Sequence, residues 1–286
     1  MMRPHKTTMP TPAYYNGKYR PLEEITIPIM DHGFLFADGV YELIPVYRKR
    51  PRCLNDHLER LKNSLAAIHI KGAPKEPVWR KICARLIKQG PDECFVYFQV
   101  TRGVIPEGAP FRKQFLDGPP TVFAMAQPLP ERPESIHAIT REDQRWGRCH
   151  IKSIMLLETI LATQDAVDRQ AGEAILCRGD EVMEGATSNV FAVVGGLVRT
   201  PNLGPQILPG VTRKLVLRLM RENGMEYQEG RLSISELRRA EEIWITGSTR
   251  GVMPVIELDD VPVNNRDIGP VTQRVRDWYR EFCNAS

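Results

Sequence analysis

No Cys-x-x-Cys pair occurs among the six cysteines of this chain, Cys53, Cys83, Cys94, Cys149, Cys177 and Cys283. Their spacing matches neither a zinc site nor a disulfide framework, so they read as reduced thiols of a cytoplasmic protein and imply no metal. No block of Lys and Arg stands out: 39 basic residues are scattered among 35 acidic ones for a net charge of +4. That balance excludes a nucleic-acid or membrane-surface protein as the first expectation. No apolar run approaches the roughly 20 residues that cross a bilayer. The first 13 residues are polar and proline-bearing and lack the apolar centre of a signal peptide. Internal repeats and low-complexity segments are absent too. What remains is an ordinary globular composition, 42% apolar and 26% charged over 286 residues, enough to bury a core without covalent staples.

Local patterns divide the chain. Tyr14–Tyr19 predicts a strand, a tight Asn16-Gly17 turn and a second strand. Residues 41–47 (YELIPVY) read as a strand, and Leu58, Leu61, Leu65 and Ile68 recur at helical spacing after Asp56, a suitable N-cap. A second helix is expected over 76–89, and strands over 95–101 and 121–126. Gln127-Pro-Leu-Pro-Glu-Arg-Pro133 has three prolines in seven residues and suits an extended linker. The expected organisation is therefore a small N-terminal domain over 1–126 with a loose tail at 1–12, a linker at 127–133, and a larger C-terminal domain over 134–286. In the second half the patterns predict a strand at 135–142, a helix at about 154–171, strands across 173–201 turning at Arg178-Gly-Asp180 and Gly195-Gly196, a helix over 211–223, a strand at 242–246 and a closing helix over 267–283. Strands and helices mix without regular alternation, so the class is α+β with two domains.

Five places carry candidate chemistry. Lys152 lies in Cys149-His-Ile-Lys-Ser-Ile-Met-Leu-Leu157, one lysine among apolar residues at the expected start of a helix. Burial there disfavours the ammonium ion and frees the amine a Schiff base needs. Glu184, in Glu181-Val-Met-Glu-Gly-Ala-Thr-Ser-Asn-Val-Phe191, is a carboxylate between strand-like runs that is costly to bury without a cationic partner. Ile207-Leu-Pro-Gly-Val-Thr-Arg213 enters a helix whose first N–H groups, on Val211 and Thr212, favour a phosphate. Thr246-Gly-Ser-Thr249 places hydroxyls directly after a strand, and Arg60 in His57-Leu-Glu-Arg60 is a candidate phosphate clamp. Each signal alone is common in loops and solvated helix faces.

Their order is specific. The sequence resembles the fold-type IV pyridoxal-5'-phosphate (PLP) enzymes, the family of D-amino-acid and branched-chain aminotransferases, from about Tyr15 to Phe282. Asp31-His-Gly-Phe-Leu-Phe-Ala-Asp-Gly-Val-Tyr-Glu42, Ile151-Lys-Ser153, Glu184-Gly-Ala-Thr-Ser-Asn-Val-Phe191, Leu208-Pro-Gly-Val-Thr-Arg213 and Pro254-Val-Ile-Glu257 carry the likeness. The Glu184 motif is similar to the D-amino-acid form. The resemblance implies a two-domain α+β fold, a homodimer with its site close to the interface, and PLP held by Lys152 as a Schiff base. It further implies that Lys152 shuttles the substrate α-proton and that Glu184 pairs with the pyridine nitrogen. Arg60, with Val211, Thr212 and Ser248 or Thr249, would bind the phosphate. Ser188, Asn189 and Leu208 join the cofactor-binding set, and Tyr41 lines the substrate site.

One part of the pattern breaks. In the best-known D-amino-acid aminotransferases an Arg-x-His motif follows the strand ending in Thr-Arg-Gly and holds the substrate carboxylate. Here Thr101-Arg-Gly103 is present, but Glu107 and Ala109 take those places. Arg112, in Phe111-Arg-Lys-Gln-Phe115, is the first candidate to replace the motif, and Arg250 is the second. The leading expectation is transamination between D-amino acids, such as D-alanine and D-glutamate, and 2-oxo acids. A transaminase for (R)-amines or L-branched-chain amino acids, a PLP lyase of the aminodeoxychorismate lyase type, and a catalytically silent binding protein stand as alternatives. The presence of both Lys152 and Glu184 argues against the last.

Overall fold

A computed structural model describes residues 11–111 and 118–285. The chain forms two compact units: residues up to Leu129 together with Lys152–Ile154, and Pro130–Ile151 together with the residues from Met155 on.

The first unit contains β1 (Pro12–Tyr15), β2 (Lys18–Pro21), α1 (His32–Phe36), β3 (Gly39–Tyr47), β4 (Arg50–Pro51), α2 (Leu54–Ala67), α3 (Glu76–Gln89), β5 (Cys94–Thr101) and β6 (Thr121–Pro128). Its six-stranded sheet has the order β2-β1-β6-β5-β3-β4. The β1–β2 hairpin turns at Asn16 (φ 43°) and Gly17 (φ 90°), the two positive angles that Asn-Gly supplies at low cost. Trp79 of α3 packs on Phe98 of β5 at 4.8 Å between ring centroids. Alternation along β3 sends Glu42 toward the α2 helix and turns Tyr41 to the other face, beside Tyr97.

The second unit contains β7 (Ile136–Glu142), α4 (Leu157–Asp168), β8 (Glu173–Arg178), β9 (Glu181–Gly185), β10 (Asn189–Val194), β11 (Leu197–Pro201), α5 (Val211–Glu222), β12 (Tyr227–Gly230), α6 (Ile234–Arg238), β13 (Glu242–Gly247), β14 (Gly251–Leu258), β15 (Val261–Pro262) and α7 (Pro270–Asn284). The sheet runs β12-β11-β10-β13-β14-β7-β8-β9, with β15 added on β14. Strand β8 is buried on both faces. Ile175 and Cys177 join a core with Val182, Val190, Leu232 and Ile245, while Ala174 and Leu176 face Ala162 and Ala166 of α4.

Several local expectations are corrected. The N-cap of α2 is Cys53, in the left-handed region, not Asp56. Asp56 instead lies in the first turn, where its charge still complements the helix dipole. Helix α4 begins at Leu157 rather than 154, because Ser153 pairs with Val40 and Ile154 donates its N–H to the Gly39 carbonyl. A backbone extended for strand pairing does not have the dihedral angles of a helical turn. Strand β6 continues through Gln127 and Pro128, which pair with Phe95 and Cys94, so those two residues are not linker. Pro12 opens β1 and is not tail. No helix among the described residues is long and apolar enough to cross a membrane.

Candidate active site

In the first unit the chain presents one lysine with its backbone locked on both sides. Lys152 N–H donates to Ser64 Oγ of α2 at 3.2 Å, and its carbonyl accepts from Tyr41 N–H at 3.0 Å. Its Nζ stands 4.2 Å from the centroid of the Tyr41 ring, an electrostatically favourable seat for an amine on a π face. Lys152 is half-buried. Two of the expected site residues, Lys152 and Tyr41, are thus in direct contact.

Arg60 is buried on α2 and is bound to Glu42 of β3: Nε donates to Oε1 at 2.6 Å and Nη2 to Oε2 at 3.0 Å. His57, one helical turn earlier, places Nδ1 2.8 Å from the same Oε2. Burial alone would push the Glu42 carboxyl up, but the Arg60 guanidinium and the His57 hydrogen bond outweigh it and hold it at about 2. Burial pushes His57 down, so the neutral ring donates to an ionised carboxylate. Glu42 thereby fixes the Arg60 guanidinium on a buried strand. Glu42 and His57 were absent from the predicted site. The readable signal was a glutamate inside an otherwise apolar strand, which requires a partner.

In the second unit Glu184 is 3% exposed and gathers donors from three elements. Arg145 Nη1 donates to Oε1 at 2.7 Å, Asn189 Nδ2 to Oε2 at 3.0 Å, and Leu208 N–H to both oxygens at 3.1 Å. A β-bulge aims this side chain. Cys177 pairs with Val182 but the adjacent Leu176 pairs with Glu184, leaving Met183 as the extra residue. Val182 therefore faces one core and Glu184 the opposite face. Burial pushes the Glu184 carboxyl up to about 7, against the pull of Arg145 and the Leu208 N–H. Arg145 itself is held protonated by Asp143 and Glu184 although burial opposes it, and Asp143 is in turn bound by Arg178 at 3.0 Å. Arg145 and Asp143 were not foreseen. Their only sequence signal is a charged pair shortly before an apolar segment.

This geometry tests whether a pyridine cofactor fits. A buried carboxylate whose existing donors do not fully offset its burial is completed by one more cation, the role a protonated ring nitrogen plays. Asn189 also donates to the Leu208 carbonyl at 3.0 Å, joining the Glu184 cluster to the loop before α5. That loop admits only glycine at 210, since a Cβ there would lie 1.9 Å from Asn189 Oδ1. Gly210 caps α5 without a side chain, so the first-turn N–H groups of Val211 and Thr212 lack intrahelical acceptors and favour an anion. Ser188 Oγ donates to the buried Glu173 at 2.8 Å. Ser248 and Thr249 lie in the turn joining β13 to β14, and Thr246 Oγ1, buried beside them, has no hydrogen-bond partner among the described residues. The residues present fit such a group. Arg112 lies outside the described residues.

The family described as amino-transferase class IV matches residues 39–258. The chain is 31% identical over 280 residues to a D-alanine aminotransferase of Staphylococcus haemolyticus, covering 96% of this chain and 99% of that one. It is 36% identical over 269 residues to a D-alanine aminotransferase of Bacillus licheniformis, covering 92% and 93%. Among solved structures, a fold IV transaminase of Curtobacterium pusillum is similar at a TM-score of 0.82 and 25% identity, with 94% of each chain covered. A hypothetical aminotransferase of Mycobacterium tuberculosis in its PLP-bound form shares the fold at a TM-score of 0.83 and 20% identity, with 96% of this chain and 99% of that one covered.

Proposed function

Since the chain belongs to the class IV aminotransferases, which use pyridoxal 5'-phosphate, we propose that it moves amino groups between D-amino acids and 2-oxo acids. The observation that carries the reading is the buried Glu184 with its incomplete charge compensation. The D-alanine aminotransferases at 31% and 36% identity support the substrate class, as does the Ala-Thr-Ser-Asn run after Glu184-Gly185.

The cofactor, when bound, supplies an electron sink for the bond broken at the substrate α-carbon. Lys152 Nζ is its attachment point and carries the proton to and from that carbon. Glu184, kept in register by Arg145, Asn189 and Leu208, holds the pyridine nitrogen protonated. Arg60, fixed by Glu42, provides positive charge for the phosphate, with the N–H groups of Val211 and Thr212 and the hydroxyls of Ser248 or Thr249. Ser188 contributes through its contact with Glu173, and Tyr41 lines the substrate side beside Lys152. The working form is a homodimer, a reading supported by Leu157, Ile160 and Leu161, which leave an apolar row exposed on α4, and its six cysteines, which form no disulfide among the described residues, support a cytoplasmic location.

Purified holoenzyme mixed in turn with D-alanine, D-glutamate, L-leucine and (R)-1-phenylethylamine tests the reading through decay of the cofactor's visible absorbance. Decay with the two D-amino acids and little with the others is expected. Preference for L-leucine or the amine would replace the substrate class, and release of pyruvate from aminodeoxychorismate without an acceptor would replace the reaction.

A further inference from the structure

Arg250 ends the turn Ser248–Thr249–Arg250, which its own N–H closes by donating to the Gly247 carbonyl at 3.2 Å. Its side chain is 27% exposed, and its nearest anion is Glu173, with Nε 3.9 Å from Oε2. That separation is beyond a hydrogen bond. Among the described residues the Arg250 guanidinium makes no hydrogen bond. Three other arginines of the same unit are spent. Arg145 serves Asp143 and Glu184, Arg178 serves Asp143 and two carbonyls, and Arg213 serves Glu229 and the Pro201 carbonyl.

Glu173 does not need Arg250. Its oxygens already accept from Ala174 N–H at 3.1 Å, Thr187 Oγ1 at 3.0 Å and Ser188 Oγ at 2.8 Å. The buried carboxylate thus restrains the guanidinium from one side and leaves its fork of donors open. A planar fork of that kind matches a carboxylate in bidentate fashion. The turn also packs closely on this cluster, since a Cβ on Gly247 would lie 3.6 Å from the Thr187 carbonyl oxygen.

We propose that Arg250 recognises a carboxylate of the substrate. This rests on the amino-acid reading given above. The turn that offers Ser248 and Thr249 to the cofactor's phosphate carries Arg250 as its next residue. In PLP the phosphate-bearing and aldehyde-bearing ring carbons are neighbours, so a residue beside the phosphate grip would lie on the side of the ring where the substrate is joined. The carboxylate is either the α-carboxylate common to all amino acids or the side-chain carboxylate of D-glutamate and 2-oxoglutarate.

The test compares wild-type holoenzyme with Arg250→Ala and Arg250→Lys. Binding of propionate and of glutarate, unreactive mono- and dicarboxylates, is measured by titration, with the PLP dissociation constant and half-reaction kinetics for D-alanine and D-glutamate alongside. Loss of a charge-assisted pair is expected to weaken propionate binding and raise KM for both amino acids about ten- to a hundredfold, with kcat and PLP retention little changed and partial rescue by lysine. Losses confined to glutarate and D-glutamate assign the contact to the side-chain carboxylate. Unchanged carboxylate binding in the alanine variant overturns the proposal, as does a loss that tracks PLP release. Wild-type enzyme that binds propionate through Arg250 yet reacts with no amino acid would sink the substrate reading and leave the carboxylate site standing.

Discussion

Arg145 Nη1 meets Glu184 Oε1 at 2.7 Å, and the same guanidinium holds Asp143 through Nε at 2.9 Å. One partly buried cation thus joins the residue that carries the functional reading to a carboxylate 41 positions earlier. Charge around Glu184 is balanced by a chain, Glu184–Arg145–Asp143–Arg178, rather than by a single pair.

Arg145→Met should therefore damage both stability and chemistry. Removing one partner of a buried ionic cluster costs about 3–5 kcal/mol. Glu184, without its nearest cation, is pushed further toward the neutral form and no longer holds a pyridinium. Urea unfolding and half-reaction rates measure the two effects. A variant with native stability and native rates would remove Arg145 from the site.

Glu184→Gln should keep the cofactor and slow the half-reaction by about a hundredfold or more, since an amide cannot stabilise the pyridinium by charge. Because Arg145 acts through Glu184, the double variant Arg145→Met/Glu184→Gln should react no more slowly than the worse single variant. Additive losses would show that Arg145 works on the reaction independently.

Lys152→Ala should abolish transamination and the visible absorbance of the lysine-bound cofactor. In the wild type, borohydride reduction followed by peptide mapping should leave the cofactor on the peptide containing Lys152. Label on any other lysine would refute the assignment.

Arg60→Ala should weaken cofactor binding by roughly ten- to a hundredfold, the scale of a lost charge-assisted contact. It should also lower folding stability by about 3–5 kcal/mol, because it strands the buried Glu42. Equilibrium dialysis against PLP and denaturant titration of the cofactor-free protein separate the two losses. Unchanged affinity with lowered stability would confine Arg60 to a structural role.

The same cluster sets an acid limit. Glu42 is held at about 2, below its ordinary 4.5, so its ionised form contributes stability that is present above pH 4.5. That contribution is lost as pH falls toward 2, and linkage puts it on the order of 3 kcal/mol. The stability gap between wild type and Glu42→Gln should accordingly narrow across that range. A gap independent of pH would show that Glu42 is not ionised in the folded protein.

Much was legible locally. The hairpin at Asn16-Gly17, the helix over 76–89 and the strands around Glu184 follow from turn chemistry and from apolar periods of 3.6 and 2, which backbone geometry imposes residue by residue. The order of the Lys152, Glu184, Gly210 and Ser248 segments was equally readable, and with it the family. Three features needed the folded chain. The bulge at Met183 reverses the face that alternation would assign to Glu184. Ile154 leaves the expected helix, and residues 152–154 bond to the backbone of Gly39–Tyr41 and so cluster with the first unit although their chain neighbours belong to the second. Glu42 and Arg145 joined the candidate site only when Arg60, 18 positions away, and Glu184, 39 positions away, closed on them. Periodicity reports what a backbone does over a few residues. The compensation of a buried charge depends on which distant side chains approach it, and that distance is set by tertiary packing alone.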